Sequence, residues 1–294
     1  MIKRSKGGVV FDSLNVIILV MLSFISLYPF LYVVFASFSD SAELALYRGM
    51  LFRPLGFSTS AYGAVFEQSD VITGYFNTII YVVFGTAINL LMTSLGAFVL
   101  SRKNFYWNKI LLPMAVFTMF FGGGLIPSFL LIKALGIYDT RWAILLPGAI
   151  STWNLFIMKT NFLAIPASLE ESAEIDGANS FIVFARIVMP LSMPVIAVMI
   201  LYYGVGNWNS WFNAMVYLRN RNLFPLQLFL REILIANSTE EMMLSMDVGS
   251  ADVQRVSETV KYATIVVATL PILCVYPFLQ KYFVKGVMIG AIKG

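Results

Sequence analysis

The chain concentrates acidic side chains in one short segment. Glu170, Glu171, Glu174 and Asp176 lie within seven consecutive residues. Clustered carboxylates can act as general acids and bases or bind a metal ion, usually together with histidine or cysteine. The chain has no histidine, and its single cysteine, Cys274, lies in an apolar run typical of a small buried hydrophobe. A histidine base, a two-histidine metal site and an internal disulfide are therefore excluded, and we expect no metal ion or cofactor on this chain.

The elements that position this acidic segment are predicted to be membrane helices. Of the 294 residues, 59% are hydrophobic and only 12% are charged, and the mean hydropathy is +0.80. A soluble domain carries about 25% charged residues because its surface faces water. The net charge of +4 is not interleaved with aromatic residues, as it would be on a nucleic-acid-binding surface. We therefore predict an integral membrane protein that is surrounded by lipid and has no nucleic-acid partner.

Six segments lack Asp, Glu, Lys and Arg over a length that can cross a bilayer, which needs about 20 mostly apolar residues. These segments are 13–39, 71–101, 110–132, 142–158, 187–218 and 262–280. The fourth is short, and we expect Arg141 and Lys159 to extend it by reaching towards the bilayer surface. The pattern predicts an all-α fold, with one transmembrane domain of six helices over residues 1–294. A signal peptide is the alternative for residues 1–37, but its apolar region would be shorter.

Basic residues near the ends of the spans predict the orientation, because loops rich in Lys and Arg stay in the cytoplasm. They cluster in the N-terminal segment, in the connection after the second span and in the tail after the sixth, at Lys3, Arg4, Lys6, Arg102, Lys103, Lys109, Lys281, Lys285 and Lys293. These three regions lie on the same side of a bundle with an even number of helices. We therefore expect a multi-pass protein of the plasma membrane with cytoplasmic N- and C-termini.

The acidic segment belongs to a cytoplasmic connection, residues 159–190, for which we expect two helices. Ser168 and Glu171 have the spacing of a capping box, which predicts that Ser168 caps a helix over about 169–175. Gly177 can adopt the left-handed conformation that ends a helix. A second helix then leads into Pro190 and the fifth span. The connection is thus predicted to be a helix–turn–helix at the membrane surface.

The spacing of this connection resembles the EAA loop of the permease subunits of bacterial ABC importers. That loop reads EAA, three residues, Gly, nine residues, then Ile-x-Leu-Pro. In this chain Glu171-Ser172-Ala173 is followed after three residues by Gly177, and after nine more by Ile187-Val188-Met189-Pro190. Ser172 and Met189 depart from the pattern, each by a residue of similar character. The resemblance implies a type I ABC importer permease fold, with ATPase contacts through Ser168, Glu171, Ser172, Ala173, Asp176, Gly177, Ile187 and Pro190.

The cytoplasmic tail, residues 281–294, resembles the tail of the second permease of maltose-type importers. It contains a glycine-rich run that closes with Lys-Gly. In that family the tail reaches between the two ATPase subunits, and glycine allows a backbone to pass through a narrow space. The resemblance implies ATPase contacts by Gly286, Gly290, Lys293 and Gly294. The general layout is most similar to oligosaccharide permeases of Gram-positive bacteria, of the lipoprotein-linked or aldouronate type.

The resemblance implies a membrane subunit of an ATP-driven importer that moves a sugar or oligosaccharide into the cell. The chain lacks the phosphate-binding pattern G-x-x-x-x-G-K-[ST], so we expect it not to be an enzyme. ATP and Mg would then be bound by two copies of a separate ATPase, whose closure the EAA loop couples to alternating access. The other implied partners are a homologous second permease and an extracellular solute-binding lipoprotein.

The fifth span contains amides and aromatic residues that suit either sugar contact or packing between helices. At helical spacing Tyr202, Gly206, Asn209 and Asn213 share one face. This stripe is a possible substrate path, because amides and flat apolar surfaces together recognise sugars. Intramembrane Asn also joins neighbouring helices by hydrogen bonds. The residues leave both roles open, and packing is the simpler interpretation.

The sequence argues against two other classes of membrane protein. A secondary transporter driven by an ion gradient is expected to place ionisable residues near the midplane of its helices. The six predicted spans contain none. A membrane enzyme needs a paired acid and base or a metal cluster near the membrane surface. The acidic segment lacks a histidine to accompany it and is already accounted for by the predicted loop.

Overall fold

The structure is a computed structural model, and it describes residues 6–67, 69–102, 104–244, 259–274 and 277. Within these ranges every regular element is helical, and the one β-type contact is an isolated bridge between Ser39 and Phe57. This confirms the predicted all-α fold for the described ranges. The α-helices are α1 (Lys6–Ser37), α2 (Ser41–Leu46), α3 (Ser60–Phe66), α4 (Ser69–Ser101), α5 (Asn108–Phe120), α6 (Leu125–Ala134), α7 (Trp142–Leu145), α8 (Thr152–Leu163), α9 (Ala167–Ile175), α10 (Ser180–Val183), α11 (Met189–Leu191), α12 (Met193–Trp208), α13 (Phe212–Tyr217), α14 (Leu226–Leu244) and α15 (Thr259–Cys274).

The chain divides into two compact units. The single transmembrane domain expected from the sequence stays a prediction. In the first unit a small core forms around Ala36, Leu44 and Leu51. Most of α1 contributes little to it, because an 18-residue window of this helix has no buried residue. The two units are Met1–Ser69 with Leu230–Leu270, and Asp70–Phe229 with Pro271–Gly294.

The second unit contains an extended apolar core that is formed by α4, α8 and the helices from α10 to α12. Met158, Val188 and Met199 have no exposed surface and lie among other buried apolar side chains. Phe98 and Phe184 pack ring against ring, with centroids 5.2 Å apart. This core connects the predicted second, fourth and fifth spans, and the acidic connection packs against it.

Two of the predicted spans are single helices. The predicted ranges 13–39 and 71–101 correspond to α1 and α4, each of which is long and apolar enough to cross a membrane. Two bent helix pairs can each form a broken span, which gives up to four spans among the described residues. Helix α15 is a shorter apolar helix within the predicted sixth range, 262–280. The total of six spans stays a prediction.

The predicted third span, 110–132, is not one helix. Helix α5 ends at Phe120 and α6 begins at Leu125, and their axes turn by 120° at the break. Three consecutive glycines, 122–124, occupy the break, and Gly124 has a φ of +83°. Glycine is about 1 kcal/mol less favourable than alanine in a helix, so a run of three favours ending the helix.

The predicted fourth span, 142–158, is also interrupted. Helix α7 ends at Leu145 and α8 begins at Thr152, with Pro147 and Gly148 between them. Pro147 has no N–H to donate to the carbonyl four residues earlier, and its ring disfavours a continuous helix. The chain re-enters a helix at Ser151, whose Oγ accepts a hydrogen bond from the Asn154 amide at 3.4 Å.

The predicted fifth span, 187–218, is divided by two prolines and a polar turn. A π-helical segment, Phe184–Val188, precedes α11, and the axis turns by 83° at Ser192 before α12 begins. Pro190 and Pro194 each remove a backbone donor, which explains the π-helical widening and the bend. Helix α12 ends at Trp208, short of the predicted limit.

Candidate functional site

Helix α9, within the acidic connection, begins earlier than the predicted capping box requires. Pro166 is the N-cap residue, and no side chain caps the first turn. Ser168 lies inside the helix, where its carbonyl oxygen accepts a hydrogen bond from Ser172 Oγ at 2.8 Å. The capping-box prediction for Ser168 and Glu171 is therefore wrong. The fixed φ of Pro166 lets the chain enter the helix immediately after it, so the serine is not needed as a cap.

The C-terminal end of α9 has the conformation that the sequence predicts. Gly177 has a φ of +81°, and its amide donates to the carbonyl of Glu174 at 3.0 Å. The amide of Ala178 donates to the carbonyl of Ala173 at 2.9 Å. These two bonds form a Schellman motif, which satisfies carbonyls that would otherwise be free at a helix end. The helix is thus ended by a defined turn rather than a flexible linker.

One face of α9 lies against the core of the second unit. Ala173 and Ala178 are half-buried and pack against the cluster that contains Met158 and Val188. The EAA resemblance implies that Ala173 contacts the ATPase. In the structure both alanines instead approach the chain's own core. Ala173 therefore helps fix the position of the helix.

The opposite face of α9 is exposed. Glu171, Ser172 and Asp176 all lie on the surface, and Asp176 is the C-cap residue of the helix. Ile175 is 87% exposed, and Phe181 at the start of the following helix is 70% exposed. Among the described residues, α9 thus ends in an exposed apolar side chain, and a second one follows in α10. Contiguous exposed apolar side chains mark binding surfaces, whereas single ones are common on proteins.

Arg102, directly after α4, connects the acidic connection to the membrane helices. Its guanidinium pairs with the carboxylate of Glu170 in the first turn of α9. The same guanidinium lies 4.2 Å from the ring centroid of Phe98 and donates through Nε to the Phe98 carbonyl at 3.3 Å. Burial lowers the pKa of Arg102, and the charge of Glu174 opposes that effect. From the sequence, Arg102 indicates only the orientation of the chain, because its contact with Glu170 joins residues that are distant in sequence.

The second helix of the connection begins at a polar cap. Asn179 Oδ1 accepts a hydrogen bond from the Ile182 amide at 2.9 Å, which satisfies one free donor of the first turn. Ile187 lies half-buried in the π-helical segment, and Pro190 is exposed in α11. The structure therefore distributes the predicted coupling residues between an exposed face of α9 and a second, partly buried helix.

Buried amide and hydroxyl groups join α4, α12 and the break between α7 and α8. Asn89 Nδ2 donates to the Gly148 carbonyl at 2.5 Å, and Asn89 Oδ1 accepts from Asn207 Nδ2 at 3.1 Å. Tyr203 Oη accepts from the Ser151 amide at 3.2 Å. These side chains satisfy the Gly148 carbonyl and the Ser151 amide of the interrupted fourth span. The signal that could have identified them is the presence of Asn within an apolar run, since such groups usually face the protein interior.

A second polar group holds the segment that follows α13. Asn77 Nδ2 donates to the carbonyl oxygens of Asn222 and Phe224, at 2.7 and 3.1 Å. Asn77 Oδ1 accepts from the guanidinium of Arg141 at 3.0 Å. The sequence analysis expects Arg141 to extend a span by reaching the bilayer surface. The structure instead directs it towards α4, because the Asn77 oxygen provides a partner inside the protein.

The residues predicted to line a substrate path do not share one helical face. Tyr202 is half-exposed on α12, Asn209 is the C-cap residue of that helix, and Asn213 lies on α13. The prediction of a common face is wrong because α12 ends at Trp208. Asn and Ser side chains compete with helical backbone bonds, and Asn209 and Ser210 mark the turn. The packing role falls to Asn207, whose bonds join α12 to α4.

A cavity of about 490 Å³ lies in the second unit between α4 and α12, next to Pro271 and Ile272. Its walls are almost entirely aliphatic, with side chains such as Ile79 and Leu201, and Thr86 is the polar exception. An apolar cavity of this kind suits hydrocarbon rather than a sugar. The four predicted tail contacts, Gly286, Gly290, Lys293 and Gly294, lie outside the described residues.

Comparison with known proteins identifies the family of this fold. Residues 92–289 match the model of the family described as binding-protein-dependent transport system inner membrane component. The chain is 42% identical over 285 residues to the polygalacturonan/rhamnogalacturonan transport system permease protein YtcP of Bacillus subtilis, covering 97% of this chain and 98% of that protein. It is also 42% identical to protein LplC of the same organism, covering 99% and 97%.

A solved structure is similar over the same extent. The crystal structure of a bacterial ABC transporter involved in the import of the acidic polysaccharide alginate contains a chain that superposes with a TM-score of 0.84. That chain is 34% identical, and the match covers 96% of this chain and 100% of that one. The expected type I permease fold is thereby confirmed. This chain belongs to the family of binding-protein-dependent transport system inner membrane components, the permease subunits of ABC importers.

Proposed function

We propose that this chain is the membrane subunit of an ATP-driven importer for oligosaccharides that contain acidic sugars. The observation that carries the proposal is the 42% identity to a permease named for polygalacturonan and rhamnogalacturonan, over nearly the whole of both chains. The similar solved transporter imports alginate, which is also an acidic polysaccharide. Both names support a polyanionic carbohydrate as the substrate class. The sequence predicts a sugar or oligosaccharide as the substrate, and these two names support an acidic one.

The energy for transport is proposed to come from two copies of a separate ATPase that bind ATP and Mg. The sequence has no phosphate-binding loop of its own. Helix α9 is the proposed docking element, since it is fixed by a Schellman turn and by the Arg102–Glu170 pair. A rigid helix transmits the movement of an attached subunit, whereas a flexible linker absorbs it. Two exposed apolar side chains of the connection, Ile175 at the end of α9 and Phe181 in α10, supply apolar area for such docking.

The remaining partners follow from the same role. A homologous second permease forms the other half of the pathway, and an extracellular lipoprotein delivers the sugar. For α9 to meet an ATPase, the connection 159–190 faces the cytoplasm, which places both termini there as well. The basic residues of the N-terminal segment and of the connection after α4 support this orientation.

The substrate proposal is tested with the assembled complex in proteoliposomes that contain ATP. We expect oligogalacturonides to accelerate ATP hydrolysis and to accumulate inside, while a neutral oligosaccharide of the same length does neither. The purified chain alone is expected not to hydrolyse ATP. Uptake driven by an imposed ion gradient without ATP would instead support the secondary-transporter alternative, and preference for the neutral sugar would contradict the acidic substrate class.

The docking proposal is tested by replacing exposed apolar residues. Ile175→Ser and Phe181→Ser are expected to weaken co-purification of the ATPase without changing the yield of the chain, because both side chains are largely exposed. The matched control is Leu46→Ser on α2, where the side chain is 74% exposed but lies outside the connection. Equal ATPase recovery from all three variants would contradict a docking role for α9.

A further inference from the structure

The first unit exposes several large apolar side chains in one short stretch, residues 46–57, here called the α2–α3 segment. The exposed fractions of the side chains are 74% for Leu46, 67% for Met50, 60% for Phe52 and 75% for Phe57. Single exposed apolar side chains are common on proteins, whereas a contiguous group marks a surface that contacts another molecule. Four such side chains within twelve residues form a group of this kind.

The α2–α3 segment is held in place by contacts with α1 and the residues that follow it. Leu51 is 1% exposed, and its amide donates a hydrogen bond to the Tyr28 hydroxyl at 3.0 Å. The Leu55 amide donates to Ser39 Oγ, also at 3.0 Å. Because Leu51 is buried in the small core of the first unit, the residues on either side of it face outwards. The exposed apolar side chains therefore belong to a defined surface.

The position of this surface relative to the membrane follows from α1. The apolar stretch of this helix, Phe11–Ser37, has 27 residues. At a rise of about 1.5 Å per residue it is about 40 Å long, which matches a bilayer of about 40–45 Å with its headgroup regions. The α2–α3 segment lies alongside the last part of α1, between Tyr28 and Ser39. It is thereby placed at the boundary between headgroups and acyl chains.

The side chains of the segment suit this boundary. The rings of Tyr28 and Phe52 have centroids 5.7 Å apart, and tyrosine is enriched at membrane–water interfaces. Arg48 and Arg53 lie exposed among the apolar side chains, and the structure gives neither guanidinium an ion pair with a described residue. Arginine binds phosphate oxygens through two parallel hydrogen bonds. Apolar side chains next to basic ones are typical of segments that lie in the plane of the interface.

We propose that the α2–α3 segment binds the membrane surface itself and is a site for anionic phospholipid. The side chains of Met50 and Phe52 insert at the boundary between headgroups and acyl chains, and Arg48 and Arg53 bind lipid phosphate groups. Interfacial segments bury apolar side chains about 5–10 Å into this boundary. The contact fixes the first unit at the bilayer surface. It depends on the membrane position of α1 and on neither the sugar nor the ATPase.

The position of the segment is tested by fluorescence quenching in lipid nanodiscs, on the full chain together with the subunits that co-purify with it. With Cys274→Ser as background, Met50→Cys carries a small fluorophore, and Leu46→Cys provides a second label position. We expect lipids with a nitroxide at the top of the acyl chain to quench both labels. The matched control is Glu67→Cys, an exposed position after α3 that should be quenched weakly. Leu22→Cys, 55% exposed in the middle of α1, should be quenched best by a nitroxide at the end of the acyl chain.

The preference for anionic lipid is tested with the same label at Met50→Cys. Nitroxide-labelled phosphatidylglycerol should quench it more strongly than phosphatidylcholine with the same nitroxide at equal mole fraction. Arg48→Gln and Arg53→Gln should each lower the local enrichment of phosphatidylglycerol by up to roughly fivefold, as expected for one basic side chain near an anionic surface. Lys109→Gln, which removes an exposed charge from the first turn of α5, should leave the enrichment unchanged.

The outcomes distinguish lipid from the other surroundings that the segment could have. Equally weak quenching at Met50→Cys, Leu46→Cys and Glu67→Cys, with all three labels accessible to iodide, would show that the segment lies in water and would overturn the proposal. Labels that neither lipid nitroxides nor iodide can reach would show that a protein subunit covers the segment, which also overturns it. Equal quenching by the two lipids in the chain with both arginines would contradict binding of anionic lipid. Quenching with a preference for phosphatidylglycerol that both arginine variants lower supports the proposal.

Discussion

The guanidinium of Arg102 pairs with the carboxylate of Glu170, which joins the end of α4 to the first turn of α9. The two residues are 68 positions apart, and the pair is partly buried. Glu170 also lies in the first turn of α9, at the positive end of the helix dipole, where a negative charge is stabilising. We therefore expect a displacement of α9 to reach α4 through this charged contact as well as through the alanine packing.

Removal of this pair should impair transport more than assembly. Arg102→Gln or Glu170→Gln is expected to destabilise the attachment of α9 by about 1–2 kcal/mol, as for a partly buried charged hydrogen bond. We expect ATP hydrolysis to continue while the number of sugars imported per ATP falls. The measurement is parallel assay of hydrolysis and uptake in proteoliposomes.

A charge exchange provides the control for this prediction. The double variant Arg102→Glu with Glu170→Arg keeps an ion pair in reversed order and should recover part of the lost coupling. Lys109→Gln, which removes an exposed positive charge from the first turn of α5, should leave coupling unchanged. Unimpaired coupling in both single variants would show that the alanine packing alone positions α9.

The effect of a substitution at Gly177 should depend on how readily the new residue adopts a positive φ. No atom lies within 4 Å of a Cβ added there, so the cost of substitution comes from the φ of +81° rather than from a clash. Gly177→Val is expected to cost about 1–3 kcal/mol and to weaken binding of the ATPase. Gly177→Asn, which adopts this conformation more readily, should be milder. ATPase recovery in pull-down assays should rank the chains as unmutated, Asn, then Val, and any other order would contradict the argument.

The features that the sequence predicts well are local. Helix α4 follows from a long uncharged run without proline, and the turn at Gly177 follows from a glycine after a short helix. The interruptions at 121–124 and 146–151 were missed because an apolar run containing Gly and Pro suits either a kinked helix or an unwound segment. The choice depends on distant side chains, such as Asn89, which binds a carbonyl 59 residues away.

In the candidate site, too, local features are predicted and features that depend on long-range packing are not. The motif spacing predicts that residues 159–190 form two helices, because cap and turn residues act over a few positions. It does not predict that Ala173 faces inwards or that Arg102 pairs with Glu170, since both depend on how α9 packs against α4 and α8. A local pattern contains no information about that packing. The roles of these residues in coupling stay predictions.

Deletion of the C-terminal tail tests the second sequence resemblance. Removal of residues 286–294 should leave membrane insertion intact, because all predicted spans precede them. Sugar uptake should fall if the glycine-rich tail contacts the ATPase pair. The measurement compares uptake at equal membrane abundance of the full and shortened chains. Replacement of the same residues by a Gly-Ser sequence of equal length separates the effect of length from that of sequence, and unchanged uptake after deletion would remove the tail from the mechanism.

Asp139 should make the stability of the second unit sensitive to acid. Its carboxylate accepts hydrogen bonds from the backbone amides of Asn220 and Arg219, at 2.9 and 2.7 Å. These hydrogen bonds lower the pKa of Asp139 below the usual 3.8. Because folding lowers this pKa, the stabilisation by ionised Asp139 is complete above the pKa of the unfolded chain. It is lost as the pH falls through the pKa of the folded chain. Between about pH 5 and pH 3 the unmutated chain should lose more thermal stability in detergent than Asp139→Asn, which keeps a neutral acceptor. Parallel loss in both chains would contradict this role.

Removal of the Asn89 amide should destabilise the second unit, because Asn89 is 3% exposed and has two hydrogen-bond partners. Asn89→Leu removes the donor to the Gly148 carbonyl and one of the two acceptors of the Asn207 amide, at an expected cost of about 1–3 kcal/mol. Asn207→Leu should cost less, since the bond to Gly148 remains. The double variant should lose less unfolding free energy than the sum of the two single variants, because each single variant already lacks the Asn89–Asn207 hydrogen bond. Thermal unfolding of the four purified chains in detergent measures this coupling. Strictly additive losses would show that the two amides act independently and that the break at Gly148 is supported by other contacts.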